Sequence, residues 1–417
     1  MPNYYKLQQD TYLVEGAKNH AIYDLLNGNL YSITNEALIN IRSMLQIKNF
    51  DKKISDDNLQ MIQPLIDQGI IMPSRKLVME KHISEIKHNF SSLFSHIEIT
   101  RKCNLKCSFC YEESSPSCDE KMTFNDFKLA IQNLKHIGVK QIQFIGGEPM
   151  ILGKTLKEMI LYARPDFDFI EVYTNGVFIN KEWAQFFKDN KIHVALSIHS
   201  YDADEHDRVT TIKHSHRKVE NAVRLLKALD IPLRTAAVET KGCKIGEKPF
   251  DHPYEISPDP VRLTGRGAFD QYTFDMFKKK AITKEKKRFP LKKERIQWQV
   301  SGHQCFLKNL YIGTDLTVFP CVMERRHNYG NLKTTNLESM ISSKVRFFSK
   351  DHVSGCKNCE YRYECFDCRP DSNGLSFNDK PWFCSYNPYS GEWADLKEMY
   401  KNLQQNIFHE SVYLSKQ

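Results

Sequence analysis

Nothing in the 417 residues approaches the roughly 18 consecutive apolar residues of a membrane span, so a transmembrane protein is not expected. The opening MPNYYKLQQD lacks the basic start and apolar stretch of a secretory signal, and the expected location is therefore cytoplasmic. There is no internal repeat and no low-complexity tract, which excludes a repeat architecture. Charge of one sign is not in large excess either. The formal net charge is +8, part of it in KKKAITKEKKRFPLKKER, Lys278 to Arg295. Such a run reads first as a solvated helix face, and nucleic acid is not indicated.

Apolar content of 41% and charged content of 26% are ordinary for a soluble globular protein, and the length exceeds one ordinary core. Two or three domains are expected. In a reducing compartment the twelve cysteines are better read as metal or cluster ligands than as disulfides.

The first ninety residues read as a unit of their own. Thr11 to Glu15, Ala21 to Leu25 and Leu30 to Ile33 look like strands, with Asn27-Gly28 as a tight turn. Thr34 or Asn35 can cap a helix with Leu38, Ile41 and Leu45 on one face. A second helix is expected over about Asp56 to Gln68, with Pro64 inside it and Gly69 closing it.

From about Ile97 strand, loop and helix alternate. Strand-like runs occur at His96 to Thr100, Gln141 to Ile145, Phe169 to Thr174, His193 to Ile198 and Leu233 to Val238. The clearest helix carries Phe124, Phe127, Ile131 and Leu134 behind Thr123 and ends at Gly138. This rhythm argues for parallel strands with crossover helices and for chemistry at the strands' C-terminal ends. Only fifteen residues, broken by Gly242, Gly246, Pro249 and Pro253, separate Val238 from Tyr254. The fifth crossover is thus expected to be abbreviated, and a sixth strand near Pro260 to Thr264 is not secure.

Cys103, Cys107 and Cys110 follow the first of these strands in IEITRKCNLKCSFCYEE, without a fourth cysteine beside them. Disulfide frameworks need even numbers, and a structural zinc site normally closes with four ligands. Three thiolates can instead hold three irons of a [4Fe-4S] cluster and leave the fourth iron open. The spacing Cys-x3-Cys-x2-Cys, with an aromatic residue before the third cysteine, resembles the signature of the radical S-adenosylmethionine superfamily. FIGGEPM, Phe144 to Met150, resembles that family's second motif. The resemblance implies that Gly146, Gly147 and Glu148 approach the methionine amino group of S-adenosylmethionine, the glutamate by charge-assisted hydrogen bonds. It places Asn175 of VYTNG and Ser197 of LSIHS at the cofactor's ribose and carboxylate, and Arg266 of VRLTGRG at cofactor or substrate. Phe109 would pack against cluster or adenine. In the family, reductive cleavage of S-adenosylmethionine gives a 5′-deoxyadenosyl radical that abstracts unactivated hydrogen.

The late cysteines resemble the SPASM extension, which carries auxiliary iron-sulfur clusters. Cys305, Gly313 and Cys321 match its early part, and Cys356-x2-Cys359-x5-Cys365-x2-Cys368 with Cys384 the rest. One inner spacing is a residue shorter than the SPASM pattern. Carried over, Cys356, Cys359, Cys365 and Cys384 complete one cluster, while Cys305, Cys321 and Cys368 supply only three thiolates to another and leave one iron free, unless a ligand such as His303 or Asp367 closes it. A zinc site on Cys356, Cys359, Cys365 and Cys368 is the alternative. Cys118 and Cys243 stand outside any ligand-like spacing.

The whole is similar to peptide maturases of the grasp-with-spasm type. The fold class implied is α/β: a partial, abbreviated (β/α)6 TIM-like barrel with an N-terminal winged-helix-like peptide-recognition domain and a C-terminal cluster-binding domain. The expected divisions are a leader-recognition domain at 1–90, a barrel at 94–270, a basic connector at 271–300, a cluster domain at 301–392 and a C-terminal helix at 393–417. The implied partners are a ribosomally made precursor peptide, whose leader adds a strand to the N-terminal sheet, an ATP-grasp ligase, and an electron donor such as flavodoxin or ferredoxin. Two other readings remain: an anaerobic sulfatase-maturating type oxidising a cysteine or serine, and a non-catalytic electron-transfer or scaffold protein.

Overall fold

The structure, a computed structural model, describes residues 4–48, 56–88, 93–247, 256–285, 291–372 and 376–406. The chain divides into two compact units, one formed by residues 1–89, 281–304 and 347–399, the other by 90–280, 305–346 and 400–417. The stretch 301–392 is thus shared between them.

In the first unit Thr11–Glu15, His20–Asp24 and Asn29–Ile33 form an antiparallel meander. Its second turn closes on Asp24, which accepts from Asn27 N at 3.1 Å through its carboxylate and from Gly28 N at 2.9 Å through its carbonyl, with Gly28 at φ +74°. That positive φ is why a glycine stands there. Thr34 caps the helix Asn35–Gln46 by accepting from Ala37 N at 3.2 Å. The second helix, Asp56–Asp67, runs through Pro64, and Gly69 follows at φ +73°. A second, two-stranded sheet pairs Tyr4–Leu7 with Ile71–Ser74, short segments that the sequence pattern did not announce.

Both faces of the meander are covered. Leu13 and Ile22 pack with Leu38, Ile41, Met44 and Ile71, whereas Tyr12, Val14, Ala21 and Tyr23 pack with Leu291, Ile296, Val300 and Tyr363. The second face is supplied from far along the chain. Residues 1–90 therefore do not close their own core.

The second unit is built on a nine-stranded sheet. Its strands are β1 (Phe94–Thr100), β2 (Gln141–Gly146), β3 (Phe169–Thr174), β4 (His193–Ser197), β5 (Leu233–Glu239), β6 (Ile256–Pro260), β7 (Asn309–Ile312), β8 (Thr317–Phe319) and β9 (Gly330–Asn331). Their order is β6-β5-β4-β3-β2-β1-β7-β8-β9. The first seven are parallel where they pair, and β8 and β9 are antiparallel. The crossovers carry α1 (Phe124–His136), α2 (Lys154–Ala163), α3 (Lys181–Asp189), α4 (Ala203–Thr210) and α5 (Ser215–Ala228).

The sixth strand is present, a few residues earlier than Pro260 to Thr264. Ile256 to Pro260 lie in parallel register with Thr235 to Glu239. Pro258 and Pro260 donate no backbone hydrogen bond, and an edge strand tolerates that. The described part of the fifth crossover, 240–247, contains no helix; residues 248–255 lie outside the described residues. Strands β7, β8 and β9 hold only 4, 3 and 2 residues, too few for periodicity to reveal.

Alternation along the parallel strands sorts the two faces. Ile97, Ile99, Ile142, Phe144, Ile170 and Val172 join Phe127, Ile131, Leu134, Met159 and Phe187 of the helices in one core. The intervening His96, Gln143 and Tyr173 line a cavity on the other face. Phe127 is fully buried between Phe124, Phe144 and Tyr162. Phe127→Ala should lower the stability of this unit by about 3–5 kcal/mol, seen as an earlier transition in chemical denaturation.

Candidate functional site

The loop carrying Cys103, Cys107 and Cys110 leaves the C-terminal end of β1 and is fastened from several sides. Cys103 N donates to Ser115 O at 3.1 Å, Ser108 N to Val209 O at 3.0 Å, and Gln271 Nε2 to Ser108 O at 3.0 Å. Arg266 grips it at three points: its Nε donates to Cys107 O at 2.8 Å, an Nη to Ser114 O at 2.8 Å, and its backbone N to Cys110 O at 2.9 Å.

The glycine pair at the end of β2 presses on the start of this loop. A Cβ on Gly146 would stand 2.0 Å from Thr100 O, and one on Gly147 2.3 Å from Lys102 O. Gly147 N donates to Thr100 O at 2.7 Å and Glu148 N to Lys102 O at 2.8 Å. The glycines are required by the chain's own backbone, and both also line the cavity.

Glu148 departs from the role expected of it. Its side chain is fully buried and accepts from Met150 N at 3.0 Å, Thr174 Oγ1 at 2.7 Å and Asn175 N at 2.7 Å. It lies outside the cavity lining, because those three donors hold the carboxylate against the end of β3. Burial pushes this carboxyl up to about 7, against the pull of the three hydrogen bonds. Arg266 departs likewise: its guanidinium is spent on loop carbonyls and is not part of the lining.

Asn175, held by Glu148, donates through Nδ2 to Asn104 Oδ1 at 2.8 Å and to Cys103 Sγ at 3.8 Å. Ser197 and Phe109 line the same cavity as the three cysteines, a space of about 360 Å³. Phe109 meets His199 edge to face, ring centroids 4.7 Å apart. Burial pushes the thiol of Cys103 up to about 12, and Cys107 rises as well, mainly by burial. The protein alone thus disfavours thiolates here, and metal binding must displace the protons.

Sequence reasoning missed the polar residues of the cavity wall. His96 Nδ1 lies 2.8 Å from Gln143 Oε1, Gln143 donates to Glu171, and Arg234 meets Glu171 at 2.9 and 2.7 Å. His199, two residues after Ser197, stacks at 5.8 Å on His206. The available signal was His96, Gln143, Glu171 and Arg234, polar residues interrupting otherwise largely apolar parallel strands.

The late cysteines fall in both units. Cys305 and Cys321 belong to the unit with the nine-stranded sheet, and Cys356, Cys359, Cys365, Cys368 and Cys384 to the other. Cys356 has Cys384 and Cys365 as electrostatic neighbours, and Cys359 has Cys365 and Cys384. Among the described residues no disulfide joins any of the cysteines. Among the described residues no helix is long and apolar enough to cross a membrane.

Residues 97–238 match the family model of the Radical SAM superfamily. The chain contains a radical SAM domain. Over 189 residues it is 28% identical to the sporulation killing factor maturation protein SkfB of Bacillus subtilis (strain 168), covering 45% of this chain and 43% of that protein. Over 146 residues it is 32% identical to the antilisterial bacteriocin subtilosin biosynthesis protein AlbA of the same strain, covering 34% and 32%. The chain thus aligns with less than half the length of these curated relatives. Among solved structures, Streptococcus suis SuiB bound to precursor peptide SuiA superposes with a TM-score of 0.52 at 13% identity, over 90% of this chain and 98% of that one. Native anSMEcpe with bound AdoMet and Cp18Cys peptide gives 0.51 at 17%, over 77% and 99%. These two likenesses concern the fold.

The cofactors of a radical SAM domain are S-adenosylmethionine and a [4Fe-4S] cluster, and the site fits them: three cysteines on one loop, and a cavity of ligand-binding size at the ends of the parallel strands. Arg266→Ala removes two charge-assisted hydrogen bonds to the loop, each worth about 1.5–3 kcal/mol. Iron retained by the radical SAM domain after reconstitution and gel filtration should fall, and Arg266→Lys should not restore it, lacking the planar fork.

A second prediction concerns acid. Burial holds His96 down to about 4, His206 to about 4 and His199 to about 3. All three are neutral when folded but bind protons below about 6.5 when unfolded. Their contribution is therefore present above about pH 6.5 and is lost as pH falls from there towards 4, by up to about 1.4 kcal/mol per pH unit for each. His206→Asn should make the pH dependence of the denaturation midpoint of the cluster-free protein shallower in that window.

Proposed function

We propose that the chain is a radical SAM enzyme that modifies a ribosomally synthesised precursor peptide. The observation that carries the reading is the convergence on one cavity of Cys103, Cys107 and Cys110 with Gly146, Gly147, Asn175 and Ser197. The relatives point to a peptide: a maturation protein, a bacteriocin biosynthesis protein and a PqqA peptide cyclase. When bound, the cluster and S-adenosylmethionine supply a radical able to remove an unactivated hydrogen.

The chain's own residues bind and orient. The three cysteines hold the cluster, and Arg266 and the glycine pair fix the loop they stand on. Glu148 sets the turn at Thr174 and Asn175, so Asn175 keeps Cys103 in place. Ser197, Phe109 and His199 form the wall against which the cofactor lies. The apolar lining at Leu105, Ile145, Ala236 and Val238 keeps the cavity dry.

Cys356, Cys359, Cys365 and Cys384 hold an auxiliary cluster in this reading, supported by their mutual electrostatic proximity. The leader of the peptide pairs with the edge strand Asn29–Ile33, which has one strand neighbour and partly exposed side chains. An ATP-grasp ligase and a one-electron donor such as flavodoxin or ferredoxin complete the pathway.

The test is anaerobic reconstitution followed by reduction with dithionite in the presence of S-adenosylmethionine. The protein should form 5′-deoxyadenosine, and replacement of Cys103, Cys107 and Cys110 together by alanine should abolish it while iron remains on the late cysteines. Undiminished 5′-deoxyadenosine from that variant would overturn the reading. Mass spectrometry of a coexpressed precursor peptide then identifies the bond made.

A further inference from the structure

Among the late cysteines lies a buried cation that the reading above does not use. Lys350 is 4% exposed. Its ammonium donates to the carbonyl oxygens of Cys365 and Phe366, the latter at 2.9 Å. Among the described residues no carboxylate forms an ion pair with it. Asp367, an acidic electrostatic neighbour of Lys350, is engaged by Arg369, which also donates to Phe377 O at 2.8 Å and Asp379 O at 3.1 Å. The electrostatic neighbours of Lys350 also include Cys365, Cys356, Cys384 and His303.

Carbonyl dipoles carry only partial charge, and a buried ammonium is tolerated when a full negative charge faces it. Neutral thiols do not supply one. Four thiolates around an iron-sulfur core do, at about two negative charges oxidised and about three reduced.

We propose that Lys350 is a built-in countercharge of the site formed by Cys356, Cys359, Cys365 and Cys384, favouring the reduced state of the cluster held there and raising its reduction potential. The inference rests on the auxiliary-cluster reading. The step is the uptake of one electron from a donor by the cluster, with no bond made or broken. The added negative charge lies beside a fixed positive one, so the reduced state gains more than the oxidised state.

The experiment uses the full chain in the Cys103, Cys107 and Cys110 triple-alanine background, which removes the radical SAM cluster's signal. Auxiliary clusters are titrated with dithionite and mediators and followed by electron paramagnetic resonance. Adding Lys350→Met should lower one cluster's affinity for the electron at least about tenfold, about 59 mV for a one-electron couple. Lys350→Arg, which keeps the charge, should stay near the parent. Full iron content with unmoved potentials in Lys350→Met would overturn the proposal. If Lys350→Met loses iron and Lys350→Arg keeps it, charge at this position is what holds the cluster, in support. Equal loss in both variants would show a purely structural clamp on the Cys365 loop and would also overturn it. Iron analysis of the triple-alanine parent separates the two levels: a parent without iron means that the cluster reading itself has failed, whatever Lys350 does.

Discussion

The close approach of β2's end to β1's end is the constraint on which the rest of the site depends. Register between these strands shifts after Glu98, and beyond that point the pairing continues through Gly147 N to Thr100 O and Glu148 N to Lys102 O. Two glycines make this possible, since any Cβ there would enter the carbonyls of residues 100–102. The cysteine loop therefore begins from a fixed backbone. Glu148 carries the constraint onward to the end of β3 through Thr174 and Asn175, and Asn175 returns it to Cys103. Three strand ends are thus tied to one thiol through one buried carboxylate.

A parallel sheet covered by helices usually reads as continuous apolar strands. Here only the helix-facing positions do. The opposite positions carry His96, Gln143, Glu171 and Arg234, and burying Gln143 and Glu171 is tolerable because half-buried His96 and exposed Arg234 complete their hydrogen bonds. The amide of Gln143 sets the order: its oxygen accepts a hydrogen bond from His96 Nδ1, and its nitrogen donates to Glu171. Burial keeps His96 neutral against the pull of Gln143 and Glu171, and Glu171 is left to pair with Arg234. A polar wall that is internally satisfied can face a charged ligand without reorganising.

The strands and helices of the second unit were legible because their segments are long enough for periodicity and are bounded by turn residues, as at Thr123 and Gly138. The cysteine loop was legible because three thiols at fixed spacing within one loop have few other uses. What did not show follows from length and distance. Strand β9 has two residues and cannot carry a pattern. The second face of the N-terminal meander is Leu291, Ile296, Val300 and Tyr363, and no local reading of residues 11–33 reveals a cover from so far along the chain. Glu148 and Arg266 were recognisable as belonging to the site. Where their charges point depends on donors and acceptors brought together only by folding.

Burial raises the thiols of both cysteine sets, but the charged side chain that weighs most on Cys103 differs in sign from the one that weighs most on Cys356. The electrostatic neighbour that weighs most on Cys103 is the carboxyl of Glu148, and Arg266 lowers Cys107 only against burial and two neighbouring thiols. Around Cys356 the largest influence after burial is the ammonium of Lys350, and Arg369 counts Cys356 and Cys368 among its neighbours. Net charge and solvent exposure set the potential of a given kind of cluster. In the auxiliary-cluster reading, Lys350 and Arg369 thus stand where a positive charge favours an added electron.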